Sequence, residues 1–314
     1  MLRVGVVGCG RWGENHVRAL STLPCVLTGV ADPARETQKV TDEYNVKRLI
    51  DYRELLQEVD AMVIAVPTTS HFAVTLDCLN ARKHILVEKP LTLSAVESEE
   101  LVSVATEKNV VLSEGYLFRF NPVVEKLSNI LPTLGKIHYI TSRYIGATKP
   151  PRKDSGVVMN LAVHLIDILY LFFGTPVGMT GSVSHVLDTE REDSALITVQ
   201  YEHFPALVEA SCCHPEKMRD MWIIGEKAKV YADFLLQKLV IYPFSTHHST
   251  SHQLVIQETV EIARCEPLKI ELLYFLSYVE SCLQGKQRIN TNRSAPNITM
   301  EKELLGLVKE RRLS

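Results

Sequence analysis

Through the first third of the chain, apolar residues fall in short runs with little polar interruption, separated by amphipathic stretches. The runs Arg3–Val7, Val26–Ala31, Lys47–Ile50, Ala61–Val66, His84–Val87 and Val110–Glu114 read as strands. Helical spacing fills the gaps at Trp12–Leu23, Arg35–Tyr44, Tyr52–Gln57, His71–Ala81 and Leu93–Lys108. Strands without internal alternation are buried on both faces, which predicts a parallel sheet covered by helices. Right-handed crossovers make it doubly wound, with a ligand crevice at the carboxyl ends of its strands.

The grammar changes after Phe120-Asn121-Pro122. A helix over Val123–Leu131 leads to a strand over Lys136–Ile145 and a helical block over Gly156–Phe173. Strand patterns follow at Gly178–Leu187, Ala195–Tyr201, Ala206–Cys213, Met221–Ile224, Lys229–Asp233, Leu239–Tyr242 and Leu254–Ile262. Helices over Leu268–Leu283 and Thr299–Arg311 complete the pattern. The expectation is an α/β chain of two domains, 1–118 and 119–314, the second an α+β domain with a large, mostly antiparallel sheet. One sheet face is left without helices, which predicts a homodimer or homotetramer joined through it.

Composition narrows the classes. At 314 residues with 46% hydrophobic and 23% charged residues, the chain reads as an ordinary globular protein. A net charge of −3 with no basic block argues against nucleic acid as a partner. The longest apolar runs, such as Leu161–Phe173, contain His and Asp and fall short of a membrane span, and the N-terminus reads as a strand rather than a signal peptide. Seven cysteines without a C-x-x-C pair suit a reducing, cytoplasmic setting. The adjacent Cys212-Cys213 is either a redox pair or plain strand packing.

Chemistry enters at Gly8-Cys9-Gly10-Arg11-Trp12-Gly13, between the first strand and the first helix. In a dinucleotide-binding loop, Gly8 makes the tight turn, Gly10 admits a pyrophosphate and Gly13 lets helix and strand pack closely. The helix N-terminus adds unpaired N–H groups and a positive dipole end. Asp32, nineteen residues beyond Gly13, ends the second strand. There it can take ribose hydroxyls and repel a 2′-phosphate, favouring NAD over NADP, or it can serve as a turn residue before Pro33. Arg35 tempers the preference, because a guanidinium could hold a phosphate. Val66-Pro67-Thr68-Thr69-Ser70-His71 is a turn at another carboxyl end, and Ser70 could simply cap the next helix.

Two further stretches carry candidate catalysis. Glu88-Lys89-Pro90 follows the fifth strand; it is either an exposed ion pair before a turn or a functional pair. In the second case Lys89 stabilises an alkoxide and Glu88 takes cofactor hydroxyls. Asn160, His164 and Asp167 lie at i, i+4 and i+7 of a helix, one polar face in an apolar block that needs buried partners or a pocket. Histidine, with an ordinary pKa of about 6.5, suits proton abstraction near neutrality, though a lone buried His also fits a core role. His247, His248 and His252 read as a hairpin loop rather than a metal site, and no metal is expected.

These motifs together resemble the glucose-fructose oxidoreductase / inositol dehydrogenase / MocA family over essentially the full chain. The glycine loop, Asp32, Pro67 to His71, Glu88-Lys89-Pro90, Arg119-Phe120-Asn121-Pro122 and Gly156 to Asp167 carry the resemblance. It implies a Rossmann domain, then an open-faced sheet domain, with Lys89 at the nicotinamide and His164 across the substrate as catalytic residues. Cofactor contacts would come from Gly8, Gly10, Arg11, Trp12, Gly13, Asp32, Arg35, Val66, Pro67, Thr68, His71, Glu88 and Lys89. Substrate contacts would come from Lys89, Arg119, Tyr144, Arg152, Asn160 and His164. Gly10 to Asn15, and Pro150-Pro151-Arg152, resemble the subgroup oxidising C3 of UDP-N-acetylhexosamines or their uronic acids, Arg152 there meeting the diphosphate or uridine. Many members carry Asp where this chain has Asn160, and an amide cannot take a proton. The resemblance thus implies an NAD-dependent sugar dehydrogenase. A dehydrogenase of free sugars or cyclitols, and a non-catalytic dinucleotide-binding regulator, are the alternatives.

Overall fold

A computed structural model describes residues 1–147, 155–187, 190–244, 257–289 and 297–310. Contacts divide the chain into two units, Met1–Leu117 with Glu266–Thr299, and Phe118–Cys265 with Met300–Ser314.

The first unit holds six parallel strands, β1 (Arg3–Val7), β2 (Val26–Ala31), β3 (Lys47–Leu49), β4 (Ala61–Ile64), β5 (His84–Glu88) and β6 (Leu112–Gly115). Their order, β3-β2-β1-β4-β5-β6, is doubly wound and reverses at β1. The predicted strands all form, β1 and β2 with the predicted bounds, β3 and β4 shorter at the carboxyl end, β5 one residue longer and β6 shifted toward the C-terminus. Helices α1 (Arg11–Leu20), α2 (Thr37–Glu43), α3 (His71–Asn80) and α4 (Ala95–Lys108) connect them, while the predicted helix at Tyr52 shrinks to a 3₁₀ turn over Tyr52–Leu55. Burial on both faces explains the uninterrupted apolar runs. Met62, Ile64, Ile85 and Val87 pack with Val74, Leu79 and Leu101 on one side. Val4, Val6, Val63 and Leu86 pack with Val17 and Leu20 on the other.

That second side has a contributor from far along the chain. Leu272, Phe275, Leu276 and Val279, on the helix Pro267–Leu283, belong to the same core cluster. Each buried side chain of this size contributes about 2 kcal/mol. Residues 266–299 therefore group with the first unit, where the sequence reading has 119–314 as one block.

In the second unit, α5 (Pro122–Ile130) precedes an eight-stranded sheet. Its strands are β7 (Ile137–Ile145), β8 (Gly178–Ser184), β9 (Ser194–Gln200), β10 (Pro205–Ser211), β11 (Met218–Gly225), β12 (Ala228–Asp233), β13 (Lys238–Pro243) and β14 (Glu258–Val260). The order is β14-β13-β12-β11-β7-β10-β9-β8, antiparallel except for β7 beside β10. Here apolar residues alternate. Ile140, Val208, Met221 and Ile223 are buried, whereas Tyr139, Leu196 and Leu207 on the opposite face are 47%, 52% and 42% exposed. Helix α6 (Val163–Phe173) packs on β7, and Gly174 ends it with a positive φ. The remaining helices are α7 (Pro267–Leu283) in the first unit and α8 (Ile298–Glu310).

Candidate active site

The glycine loop of the first unit is a backbone construction. Gly8 sits at φ +86°, where a Cβ would also meet the Ala65 carbonyl at 2.7 Å. At Gly13 a Cβ would lie 2.0 Å from the Gly8 carbonyl oxygen, so helix and loop touch only because both are glycine. A Cβ on Gly10 would meet nothing within 4 Å, so that position stays open. No side chain caps α1, which leaves its first-turn N–H groups available to an anion. These features fit a pyrophosphate. Arg11 is exposed and Trp12 half-buried in that first turn.

Asp32 follows β2 and does two things. Its carboxylate accepts from the Cys9 amide at 2.6 Å and from the Ala34 amide at 2.7 Å, tying the glycine loop to its own turn. Arg35 is exposed, and the turn is instead held by Arg48, which donates to the carbonyls of Asp32, Pro33 and Ala34. The sequence reading missed Arg48.

Glu88 and Lys89 are not an exposed ion pair. Lys89 is buried, and Glu88 accepts a 2.8 Å hydrogen bond from Nε2 of buried His16 on α1. Burial pushes the Glu88 carboxyl up, but His16, aided by Lys89 and His71, holds it below the usual carboxylate range. His71, at the start of α3, bridges the two loops. Its Nδ1 lies 2.8 Å from the Pro90 carbonyl and its Nε2 3.0 Å from the Val66 carbonyl. Thr68 is buried beside this turn, Pro67 is exposed, and Ser70 makes no side-chain cap.

The second unit gathers a cluster of side chains. Phe118, His164 and Tyr144 form a triangular cluster of near-parallel rings, with Phe118–His164 centroids 4.8 Å, Phe118–Tyr144 centroids 5.7 Å and Tyr144–His164 centroids 5.9 Å apart. Phe234 closes on Phe118 at 5.6 Å, and the Arg219 guanidinium lies 4.5 Å over Tyr144. Phe118, Phe234 and Arg219 escaped the sequence reading, because they belong to three segments with no shared motif.

The motif Arg119-Phe120-Asn121-Pro122 locks this cluster. Arg119, expected at the substrate, turns its Nε and a terminal nitrogen to Asp167 at 2.8 and 2.5 Å in a buried fork. Asp167 thus faces a buried partner one turn beyond His164. Burial pushes its carboxyl up and Arg119 opposes the shift. Asn121 caps α5 through the Val123 amide and donates to the Phe234 carbonyl at 2.9 Å.

Asn160 departs from the expected geometry. Residues Val158–Ala162 form a π-helical turn rather than α-helix, so the simple i, i+4, i+7 register from Asn160 does not hold. Asn160 is half-buried and His164 buried. Glu192 organises the turn by accepting from the Val158 amide at 3.2 Å. A Cβ on Gly156 would lie 2.0 Å from that carboxyl carbon, so any larger residue there must displace the Glu192 carboxylate. Arg152, Pro150, Pro151 and the His247, His248 and His252 stretch lie outside the described residues. Among the described residues no cluster suits a metal, and no helix is long and apolar enough to cross a membrane.

The cysteines are free, and burial raises the Cys212 thiol to about 11, with Cys213 adding to the shift. A thiol so raised is a poor nucleophile at neutral pH, which favours strand packing for the pair.

A doubly wound sheet with an anion-ready glycine loop, followed by an open-faced antiparallel sheet, defines a dinucleotide-dependent oxidoreductase architecture. Comparison with known proteins agrees. Residues 2–116 match "Oxidoreductase family, NAD-binding Rossmann fold", and residues 132–231 match the "GFO/IDH/MocA C-terminal domain". The chain belongs to the GFO/IDH/MocA oxidoreductase family. It is 29% identical over 280 residues to UDP-N-acetylglucosamine 3-dehydrogenase of Acidithiobacillus ferrooxidans, covering 88% of each chain. The solved structure of that enzyme superposes with a TM-score of 0.83 at 27% identity, over 99% of this chain and 97% of the other. Myo-inositol 2-dehydrogenase of Thermotoga maritima is 24% identical over 259 residues, 76% of this chain and 78% of its own. A 3-ketoreductase from Actinomadura kijaniata, solved with TDP-benzene and NADP, shares the fold with a TM-score of 0.81 at 20% identity, over 98% and 96% of the two chains.

Proposed function

We propose that the protein is an NAD-dependent dehydrogenase of a sugar secondary alcohol, acting on C3 of a UDP-N-acetylamino sugar. The observation that carries the reading is the imidazole of His164, packed against both Phe118 and Tyr144 in a three-ring cluster on a helix anchored by Arg119 and Asp167. An imidazole held in one orientation is what a general base requires. Similarity over 88% of a UDP-N-acetylglucosamine 3-dehydrogenase supports the substrate class.

Gly8, Gly10, Trp12 and Gly13 would hold the dinucleotide pyrophosphate, Asp32 the adenosine ribose, and Glu88 the second ribose. When bound, the nicotinamide accepts the hydride from the alcohol carbon. His164 takes the hydroxyl proton on an imidazole nitrogen as that transfer occurs. Lys89 steadies negative charge on the same oxygen with its ammonium. Asn160 offers the sugar a hydrogen bond and no proton, so His164 acts without a carboxylate at that position. Asp32 supports NAD, since a carboxylate repels a 2′-phosphate.

The test is turnover of UDP-N-acetylglucosamine with NAD and with NADP, beside glucose and myo-inositol. Reduction of NAD by the nucleotide sugar alone is expected. Reduction by myo-inositol alone would replace the substrate class, and preference for NADP would overturn the role of Asp32. Cytoplasmic residence belongs to the same reading, supported by seven free cysteines. The apolar open face bearing Tyr139, Leu196, Leu207 and Trp222 supports pairing of copies through the sheet. Sedimentation should show a dimer or tetramer at micromolar concentration, and a monomer there removes that part.

A further inference from the structure

A histidine on the buried face of α1 has no place in the packing of that helix. Gly13, Val17, Ala19 and Leu20 form the rest of the face, and the last three belong to the apolar cluster on that side of the sheet. His16 is buried with them, and its Nε2 lies 2.8 Å from Oε1 of Glu88, the last residue of β5. The helix itself packs on β1, β2 and α7, and β4 stands between β1 and β5. The imidazole therefore reaches past the strands that α1 covers to a carboxylate on a strand it does not.

The other ring nitrogen settles which group donates in this bond. Nδ1 of His16 is shielded from solvent with no hydrogen-bond partner among the described residues, so a proton there would be a buried donor with nothing to meet. The proton sits on Nε2 instead, which donates to Glu88. Burial pushes the Glu88 carboxyl up, and this hydrogen bond is the largest of the influences that pull it down. One oxygen of the carboxylate is thereby fixed.

The second oxygen is left to a ligand. Glu88 pairs in register with Gly115 of β6, which brings no side chain over Oε2; a Cβ there would lie 3.5 Å from it. Among the described residues Oε2 has no donor and is not shielded from solvent, the side chain keeping 14% of its surface exposed. Its place on the sheet says what such an oxygen meets. In a doubly wound sheet a dinucleotide lies across the carboxyl ends where strand order reverses, here between β1 and β4. With Asp32 after β2 at the adenosine end and the first turn of α1 at the pyrophosphate, β5 falls on the nicotinamide side.

We propose that His16 is a positioning residue for the cofactor: it holds Glu88 by one oxygen and so aims the other at the hydroxyls of the ribose beside the nicotinamide. Helix α1 then serves the dinucleotide twice, through its first-turn amides at the pyrophosphate and through His16 behind Glu88. The proposal rests on the assignment of Glu88 to the second ribose and on no choice of sugar substrate.

The test is calorimetric titration of the full-length wild type, His16→Leu, His16→Gln, Glu88→Met and the double variant His16→Leu/Glu88→Met. The ligands are NAD, ADP-ribose, which keeps the second ribose without the nicotinamide, and ADP, which lacks both. His16→Leu and Glu88→Met should each weaken NAD and ADP-ribose about tenfold, the worth of a hydrogen bond to a charged group, and leave ADP within about twofold. The double variant should stay within about twofold of the poorer single one, because both changes remove the same contact. His16→Gln puts an amide N–H near the position of Nε2 and should recover part of the loss.

ADP weakened as much as NAD in His16→Leu would make His16 a packing residue of α1 and overturn the proposal. Losses that add in the double variant overturn it as well, since the two side chains would then act apart. NAD and ADP-ribose affinities within twofold of wild type in His16→Leu, beside a weakened Glu88→Met, remove this inference and keep Glu88 at the ribose. Wild-type affinity in Glu88→Met removes the ribose assignment and the proposal with it.

Discussion

The two units assemble their candidate site residues from different materials. The first presents backbone: a left-handed glycine, a close approach at Gly13 and uncapped amides at the start of α1. The second presents side chains from five segments, Phe118, Tyr144, His164, Arg219 and Phe234, held together by stacking. A backbone site is rigid because few conformations satisfy it, and it serves one ligand class. A side-chain site on a common scaffold can be revised residue by residue, which is how one fold comes to host many chemistries.

The contrast predicts that damage to each unit is separable. Replacing His164 with Ala should lower kcat by about 10²- to 10⁴-fold, the usual span for a general base, while leaving NAD affinity within about twofold. Replacing Gly13 with Val should do the reverse: the Cβ would strike the Gly8 carbonyl, and NAD binding should fall below detection while the second unit keeps its fold. Fluorescence titration with NADH and steady-state kinetics separate the two. Loss of NADH affinity in His164→Ala would show that the division of labour is wrong.

The next largest effect concerns what positions His164. Asp167→Asn removes the carboxylate that Arg119 forks onto, and breaking such a buried pair by removing one partner costs about 3–5 kcal/mol. Urea unfolding should register that loss. Gly156→Ala should also destabilise, because the Glu192 carboxylate must leave the Val158 amide to make room. If both variants keep wild-type stability and wild-type kcat, the fork and the π-helical turn are not what holds the base.

These details mark the limit of what the sequence reveals. The parallel sheet was legible because burial on both faces writes itself as unbroken apolar runs, and the glycine loop because its turn at Gly8 and its close approach at Gly13 exclude a Cβ. Glu88, Lys89 and His164 stood out as polar residues in apolar surroundings. What stayed hidden was partnership across sequence distance. Nothing local says that Arg119 faces Asp167, that His16 bonds Glu88, or that Arg219 lies on Tyr144. The π-helical turn was hidden for another reason: its apolar neighbours fit an α-helix equally well, and Glu192, thirty-four residues from Val158, stabilises the wider turn. The return of α7 to the first unit was hidden because an apolar helix face does not name the sheet it will cover.

The smallest expected effect is a pH dependence that belongs to the first unit alone. His84 opens β5 at the end opposite Glu88, buried, with its Nδ1 accepting from the Val111 amide at 3.1 Å. Burial lowers its pKa to about 4, with Lys83 adding to the shift and Asp60 opposing it. Between the ordinary value of about 6.5 and that depressed value, the unfolded chain binds a proton that the folded chain refuses. Stability from this residue is therefore complete above about pH 6.5, falls as pH drops toward 4, and changes no further below. By pH 5 the loss is about 2 kcal/mol. His84→Asn keeps an acceptor for the Val111 amide and cannot titrate, so its unfolding midpoint should fall less between pH 7.5 and pH 5 than that of wild type. Glu88 and Asp60, both held below the usual carboxylate range, lose their contribution only as pH falls through lower values, which keeps the windows apart. Where the units unfold in separate transitions, the difference should appear in the first unit's transition only. Equal slopes for the variant and wild type would mean that His84 takes up its proton in the folded chain and that the start of β5 opens to water.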